Sequence, residues 1–102
     1  MADFVKVAQV GDVPENSIKS VDAGGTEVAL FNLGGEYYAL ADICPHAHCN
    51  LSEGDVEEND VICPCHGATF NIKSGEVTGP PARENATSYP VQLQGDDILV
   101  AV

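Results

Sequence analysis

The sequence predicts an all-β domain, and three observations carry that prediction. Short apolar runs alternate with turn signals at close spacing along the chain. Two Gly-Gly pairs, at 24–25 and 34–35, each stand between two such runs. That is the pattern of a tight hairpin, because glycine accepts the positive φ such turns require. No window carries a helical period of useful length. At 102 residues the chain reads as one domain, 1–102, with no repeat, linker or low-complexity segment. Folding at this size hides roughly 60–70% of the unfolded chain's surface, so the core is thin. A metal or a disulfide would supply a large part of its stability.

Taken in order, Phe4–Ala8 alternates only loosely, Pro14–Ser17 is a turn, and Ile18–Val21 is a strand. Gly24-Gly25 turns the chain into Glu27–Phe31, an apolar run that suggests a buried strand. Gly34-Gly35 leads into Tyr37–Leu40, and Phe31, Tyr37 and Tyr38 fall at core spacing. Val56 and Val61-Ile62 flank the turn Glu58-Asn59-Asp60 as a small hairpin whose outgoing strand ends at Cys63. Thr69–Ile72 with the turn Lys73-Ser74-Gly75 makes another. Gly79-Pro80-Pro81-Ala82 is neither helix nor central strand, since the prolines fix φ and donate no hydrogen bond. Tyr89–Leu93, the turn Gly95-Asp96-Asp97 and Ile98–Val102 complete the pattern. Gly67, Gly75 and Gly79 are expected to serve tight loop geometry.

Charge excludes some partners. Four Lys and Arg stand against 16 Asp and Glu, a net charge of −12. Nucleic acid and anionic membranes are disfavoured, because a binder must neutralise phosphates with its own cations. The balance favours a partner with a basic face, met quickly and released as salt rises. Plain solubility is the competing reading. The local candidate for partner docking is the run Glu53, Asp55, Glu57, Glu58 and Asp60, although a charge run is usually just a solvated face. No stretch approaches the roughly 18 consecutive apolar residues of a membrane span. The start Met1–Lys6 lacks the basic segment and long apolar run of a signal peptide. The expected compartment is therefore the cytoplasm, with no membrane partner.

All four cysteines and all three histidines lie between positions 44 and 66. They include Cys44-x-His46 and Cys63-x-x-His66, with 16 residues between His46 and Cys63. Two thiolates and two imidazoles satisfy a tetrahedral zinc ion. They equally satisfy a two-iron cluster in which one iron takes both cysteines and the other both histidines. Zinc loops usually pair Cys with Cys and His with His along the chain. Here each loop supplies one of each, which suits a two-metal cluster lying between the loops.

With these residues in view, the chain resembles the Rieske iron–sulfur family. Cys44-x-His46, sixteen residues, then Cys63-x-x-His66-Gly67 matches the family motif at every ligand. The likeness extends to Gly79, Pro80 and Pro81, which in the family form a proline loop shielding the cluster. It implies the Rieske (ISP-type) fold: an antiparallel β-sandwich base and a cluster-binding subdomain of two loops, at about 43–83. It also implies one 2Fe-2S cluster held by Cys44, His46, Cys63 and His66, with the histidines at the tip as the exit for the electron. If the free ring nitrogens of His46 and His66 titrate, the potential depends on pH.

The placement of Cys49 and Cys65 resembles the disulfide of respiratory and photosynthetic members, against the alternative of two reduced thiols. His48 is expected to be an exposed neighbour and not a ligand. High-potential members carry a serine directly after the second-box glycine and a tyrosine two positions later. Here those positions are Ala68 and Phe70, and neither can donate a hydrogen bond to a sulfur. The resemblance thus implies a potential at the low end of the class.

In length and pattern the chain looks like the small ferredoxins of bacterial aromatic-ring dioxygenase systems. Such a carrier accepts electrons from a flavoprotein reductase and passes them to the terminal oxygenase, and is not an enzyme by itself. A small subunit of an assimilatory nitrite reductase and a structural zinc module are the alternatives. A freely diffusing monomer is the simplest case.

Overall fold

The run Thr26–Leu33 has five consecutive buried residues, Val28 to Asn32, so it has no solvent face. In the computed structural model, which describes residues 4–43, 49–65, 67–79 and 85–101, this strand is the wall between two cores. Val28 and Leu30 point into one, with Ala8, Val21, Ile98 and Val100. Ala29 and Phe31 point into the other, called the inner core below, with Leu40, Val61, Phe70 and Ile72. Alternate residues of a strand face opposite sides, and here both sides are covered.

The described strands are β1 (Phe4–Gln9), β2 (Ser17–Ala23), β3 (Thr26–Leu33), β4 (Glu36–Ala41), β5 (Asp55–Glu57) and β6 (Asp60–Ile62), then β7 (Thr69–Asn71), β8 (Val77–Gly79), β9 (Ser88–Tyr89), β10 (Val91–Gln94) and β11 (Asp97–Ala101). A single 3₁₀ turn, Leu51–Glu53, follows β4. They form three sheets in the orders β1-β11-β10, β2-β3-β4-β9 and β5-β6-β7-β8. Every pairing is antiparallel. The all-β expectation holds, and the β5–β8 sheet is the frame from which the second Cys/His box projects.

Both Gly-Gly pairs are hairpin turns with the same backbone: φ is 62° and 95° at Gly24-Gly25 and again at Gly34-Gly35. Positive φ at both central residues defines the turn whose twist matches the flanking strands. Ahead of the second turn, Asn32 is buried yet satisfied. Its Nδ2 donates to the Val13 carbonyl at 2.8 Å and its Oδ1 accepts from Gly35 N at 2.9 Å.

One expectation needs correction and another needs refining. Tyr89–Leu93 is not one strand. Pro90 divides it, so that Tyr89 pairs with Ala39 of β4 while Val91–Gln94 pairs with β11. Proline has no N–H to continue a ladder, and its carbonyl instead accepts from Ala101 N at 3.1 Å. Phe31 is a core residue, but Tyr37 and Tyr38 are only half-buried. They pack on opposite cores, and with Tyr89 and Lys73 they line an open groove of about 430 Å³. The Tyr38 hydroxyl donates to Glu36 Oε2 at 2.6 Å, and that bond raises the phenol pKa above its ordinary value.

Candidate metal centre

The first box follows β4. Ile43 and Asn50 form an antiparallel bridge that closes the neck of the loop between them. Below the neck stands Asp42, wholly buried. Its Oδ1 accepts from Ser52 N at 2.8 Å, and its Oδ2 accepts from the hydroxyls of Ser52 at 3.0 Å and Ser20 at 3.1 Å. Its carbonyl accepts from Leu51 N at 2.6 Å, and its own N–H donates to the Glu27 carbonyl at 3.2 Å.

The second box follows β6. Cys63 is buried at 1% exposure, a free thiol among the inner-core residues. Its N–H donates to the Ala68 carbonyl at 2.7 Å and its carbonyl accepts from Gly67 N at 3.1 Å. These two bonds fold residues 63–68 into a tight loop, and the positive φ of Gly67, 75°, is part of its geometry. The loop therefore starts from a rigid, dry base and carries Pro64, Cys65 and Gly67 outward as exposed residues.

Cys49 and Cys65 are joined by a disulfide with a Cα–Cα distance of 6.2 Å, within the range such bonds span. Cys49 is the penultimate residue of the first loop and Cys65 lies inside the second, so the bond fastens one to the other. Of the alternatives open for this pair, the bridge is the one present.

Of the expected ligands, Cys63 is described, and it stands buried at the root of the second loop. Cys44, His46 and His66 lie outside the described residues, as do His48, Pro80 and Pro81. Gly79 ends β8 against β7, where an added Cβ would meet Thr69 Oγ1, so any larger residue there displaces that hydroxyl. Glu53, Asp55, Glu57 and Glu58 are exposed and Asp60 is half-buried. Asp55 and Glu57 flank Val56, which packs on the inner core, so both carboxylates face outward from an edge strand. Charges there also discourage edge-to-edge pairing with another chain. Ala68 and Phe70 are fully buried, and neither side chain carries a donor.

Sequence reading missed Asp42 and its partners. Its signal was an acid set between apolar residues, Ala41 and Ile43, at the end of a strand. Ser20 and Ser52 carry none of their own.

The described residues agree with a two-loop centre: a buried thiol, Cys63, at the root of the second loop and a disulfide to the first. The sequence places Cys44-x-His46 in the first loop and Cys63-x-x-His66 in the second. Two thiolates and two imidazoles, the donor types the two sequence boxes offer, are the set a 2Fe-2S cluster of mixed ligation takes.

Known proteins place the chain further. The family model described as "Rieske [2Fe-2S] domain" matches residues 3–90. The 3-phenylpropionate/cinnamic acid dioxygenase ferredoxin subunit of Shigella boydii is 41% identical over 92 residues, covering 89% of this chain and 86% of that protein. The ferredoxin of carbazole 1,9a-dioxygenase from Nocardioides aromaticivorans superposes with a TM-score of 0.93 at 29% identity, over 96% of each chain. A ferredoxin solved in complex with the oxygenase of carbazole 1,9a-dioxygenase superposes with a TM-score of 0.90 at 28% identity, over 96% of this chain and 92% of that one. A protein described as the small subunit of an NADPH nitrite reductase superposes less closely, with a TM-score of 0.79 at 25% identity over 96% and 97%.

Proposed function

The chain belongs to the Rieske [2Fe-2S] domain family, and from that premise we propose that it is the one-electron carrier of a ring-hydroxylating oxygenase system. In this reading it takes electrons from a flavoprotein reductase and delivers them to a terminal oxygenase, working as a cytoplasmic monomer. Residues 1–102 act as a single unit, with the cluster-bearing part at about 43–83. The observation that carries the reading is the likeness to dioxygenase ferredoxins over nearly the whole chain, one of them solved in complex with its oxygenase. The Cys49–Cys65 bond fastens the two Cys/His boxes together beside the buried Cys63. Membership by family model and by dioxygenase-ferredoxin relatives supports it over zinc. The same relatives, with their closer superpositions, support it over a nitrite reductase subunit.

Cys44, His46, Cys63 and His66 would hold one cluster, with Gly79, Pro80 and Pro81 as its cover. A Rieske cluster supplies reversible one-electron chemistry at a potential raised by its two neutral imidazoles, roughly −150 to +300 mV across the class. The chain's part is to hold the ligands rigid, exclude water from the thiolate side, and present the imidazole side to a partner. Glu53, Asp55, Glu57, Glu58 and Asp60 would then steer a partner with a basic face.

The test is anaerobic mixing of the reduced protein with an oxidised ring-hydroxylating oxygenase, following the visible bands of both. Electron transfer is expected, and raising the ionic strength should slow it. Glu57→Lys together with Glu58→Lys should slow it further and flatten the salt dependence. Failure to pass electrons to any oxygenase of this class would overturn the reading. A rate indifferent to salt would remove the acidic run from it.

The potential follows from residues already placed. With Ala68 and Phe70 buried and donorless beside Cys63, nothing at those positions stabilises the added negative charge of the reduced state. The midpoint is expected below zero on the hydrogen scale, and Ala68→Ser should raise it. A redox titration giving a clearly positive midpoint for the unmodified protein contradicts this.

A further inference from the structure

A buried carboxylate is expensive to keep, and an apolar residue of similar size fills the same space at less cost. Asp42 is such a carboxylate, at 0% exposure, and it forms no ion pair among the described residues. What it does have is one hydrogen bond or more to each of three segments. Ser20 of β2 and the Glu27 carbonyl of β3 tie it to the central sheet. Leu51 N, Ser52 N and Ser52 Oγ tie it to the chain just after the first loop. Asp42 itself is the last residue before that loop. The departure and the return of residues 43–50 are therefore fastened to one side chain and its own peptide, and through them to the central sheet.

We propose that Asp42 is a positioning residue for the cluster: it fixes the neck of the first ligand loop and so sets how firmly Cys44 and His46 hold iron. The inference rests on the reading of the chain as a cluster-carrying ferredoxin and goes beyond it. Groups outside the ligand set act in this way because they lock the ligands' orientation before the metal arrives. Replacing Asp42 by alanine leaves Ser52 N, Ser52 Oγ and Ser20 Oγ without an acceptor, and the neck loses its registration to the sheet.

The experiment compares the loaded wild-type protein with Asp42→Ala, Asp42→Asn and Ser52→Ala. The temperature is one at which each is fully folded by far-ultraviolet circular dichroism. Iron release to a chelator should be about tenfold faster or more in Asp42→Ala, the scale on which outer-shell substitutions act. The g-values of the reduced cluster should shift as well. Asp42→Asn keeps an oxygen for Ser52 N, and the two hydroxyls can rotate to meet its amide, so it should recover much of both properties. Ser52→Ala should fall between wild type and Asp42→Ala.

In the metal-free protein, amide exchange at Leu51 and Ser52 should quicken in Asp42→Ala while β3 amides stay protected. A melting temperature that falls with release rate and g-values unchanged would reduce Asp42 to a folding residue and overturn the proposal. Should Asp42→Ala not fold, unchanged release in both Asp42→Asn and Ser52→Ala overturns it equally. A wild-type protein that binds no 2Fe-2S cluster would instead sink the carrier reading, with the amide-exchange arm still deciding whether the neck is clamped.

Discussion

Cys63→Ala is expected to yield a colourless protein, with no visible cluster absorption and no electron transfer. The unmodified protein should be coloured. Thiolate ligands cannot be replaced by neighbours here, because the second loop holds Cys63 in a fixed place. Its N–H is bonded to the Ala68 carbonyl and its side chain is sealed from water. Cys65, two residues on, is committed to the disulfide.

The side-chain change alone takes little from the core; the larger loss of stability comes with the cluster, while the disulfide and both cores keep the strands formed. Cys63 is a small member of the inner core, and the methyl group of alanine keeps part of its volume. Loss of colour with retained strand signal in circular dichroism is therefore the expected pair of results. His66→Ala should behave alike. Full iron content in Cys63→Ala would show that the centre is built from other donors.

Phe70→Ala should have the largest effect on stability. Phe70 is fully buried in β7, registered opposite Val61 of β6 and Val77 of β8. It belongs to the core that holds Phe31 and Leu40 of the central sheet, so it joins the cluster-bearing sheet to the base. Truncating a buried phenylalanine costs about 3–5 kcal/mol, as transfer and cavity terms add. Whole domains are stable by about 5–15 kcal/mol, so this one change consumes a large share. A urea titration reads it as a drop in midpoint. Leu93→Ala, at a side chain 49% exposed on edge strand β10, serves as the control and should stay within about 0.5 kcal/mol. A loss below about 1 kcal/mol for Phe70→Ala would mean that the two layers are not joined through this residue.

Much of the architecture was legible because it is written locally. The Gly-Gly pairs state their turn type, and the unbroken apolar run 28–31 states burial on both faces. The Cys/His spacing states which loops must meet. What escaped depends on distant partners. Nothing near Pro90 says that the chain leaves one sheet for another, since that exchange needs both β4 and β11 as neighbours. The half-buried state of Tyr37 and Tyr38 follows from a groove formed with Lys73 and Tyr89, far along the chain. Asp42 was silent for the same reason: its partners Ser20 and Ser52 are 22 and 10 residues away, and only the fold makes one network of them.

Strand β3 carries no ligand and no docking residue, yet it governs how the molecule comes apart. Its two faces are the floors of different cores, so neither core can be opened to water without stripping a face from the same eight residues. Base and cluster end are thereby made a single cooperative unit. A carrier that must deliver its electron and depart intact, many times over, is protected from partial opening at the sheet that bears Cys63 by a strand that lies outside that sheet.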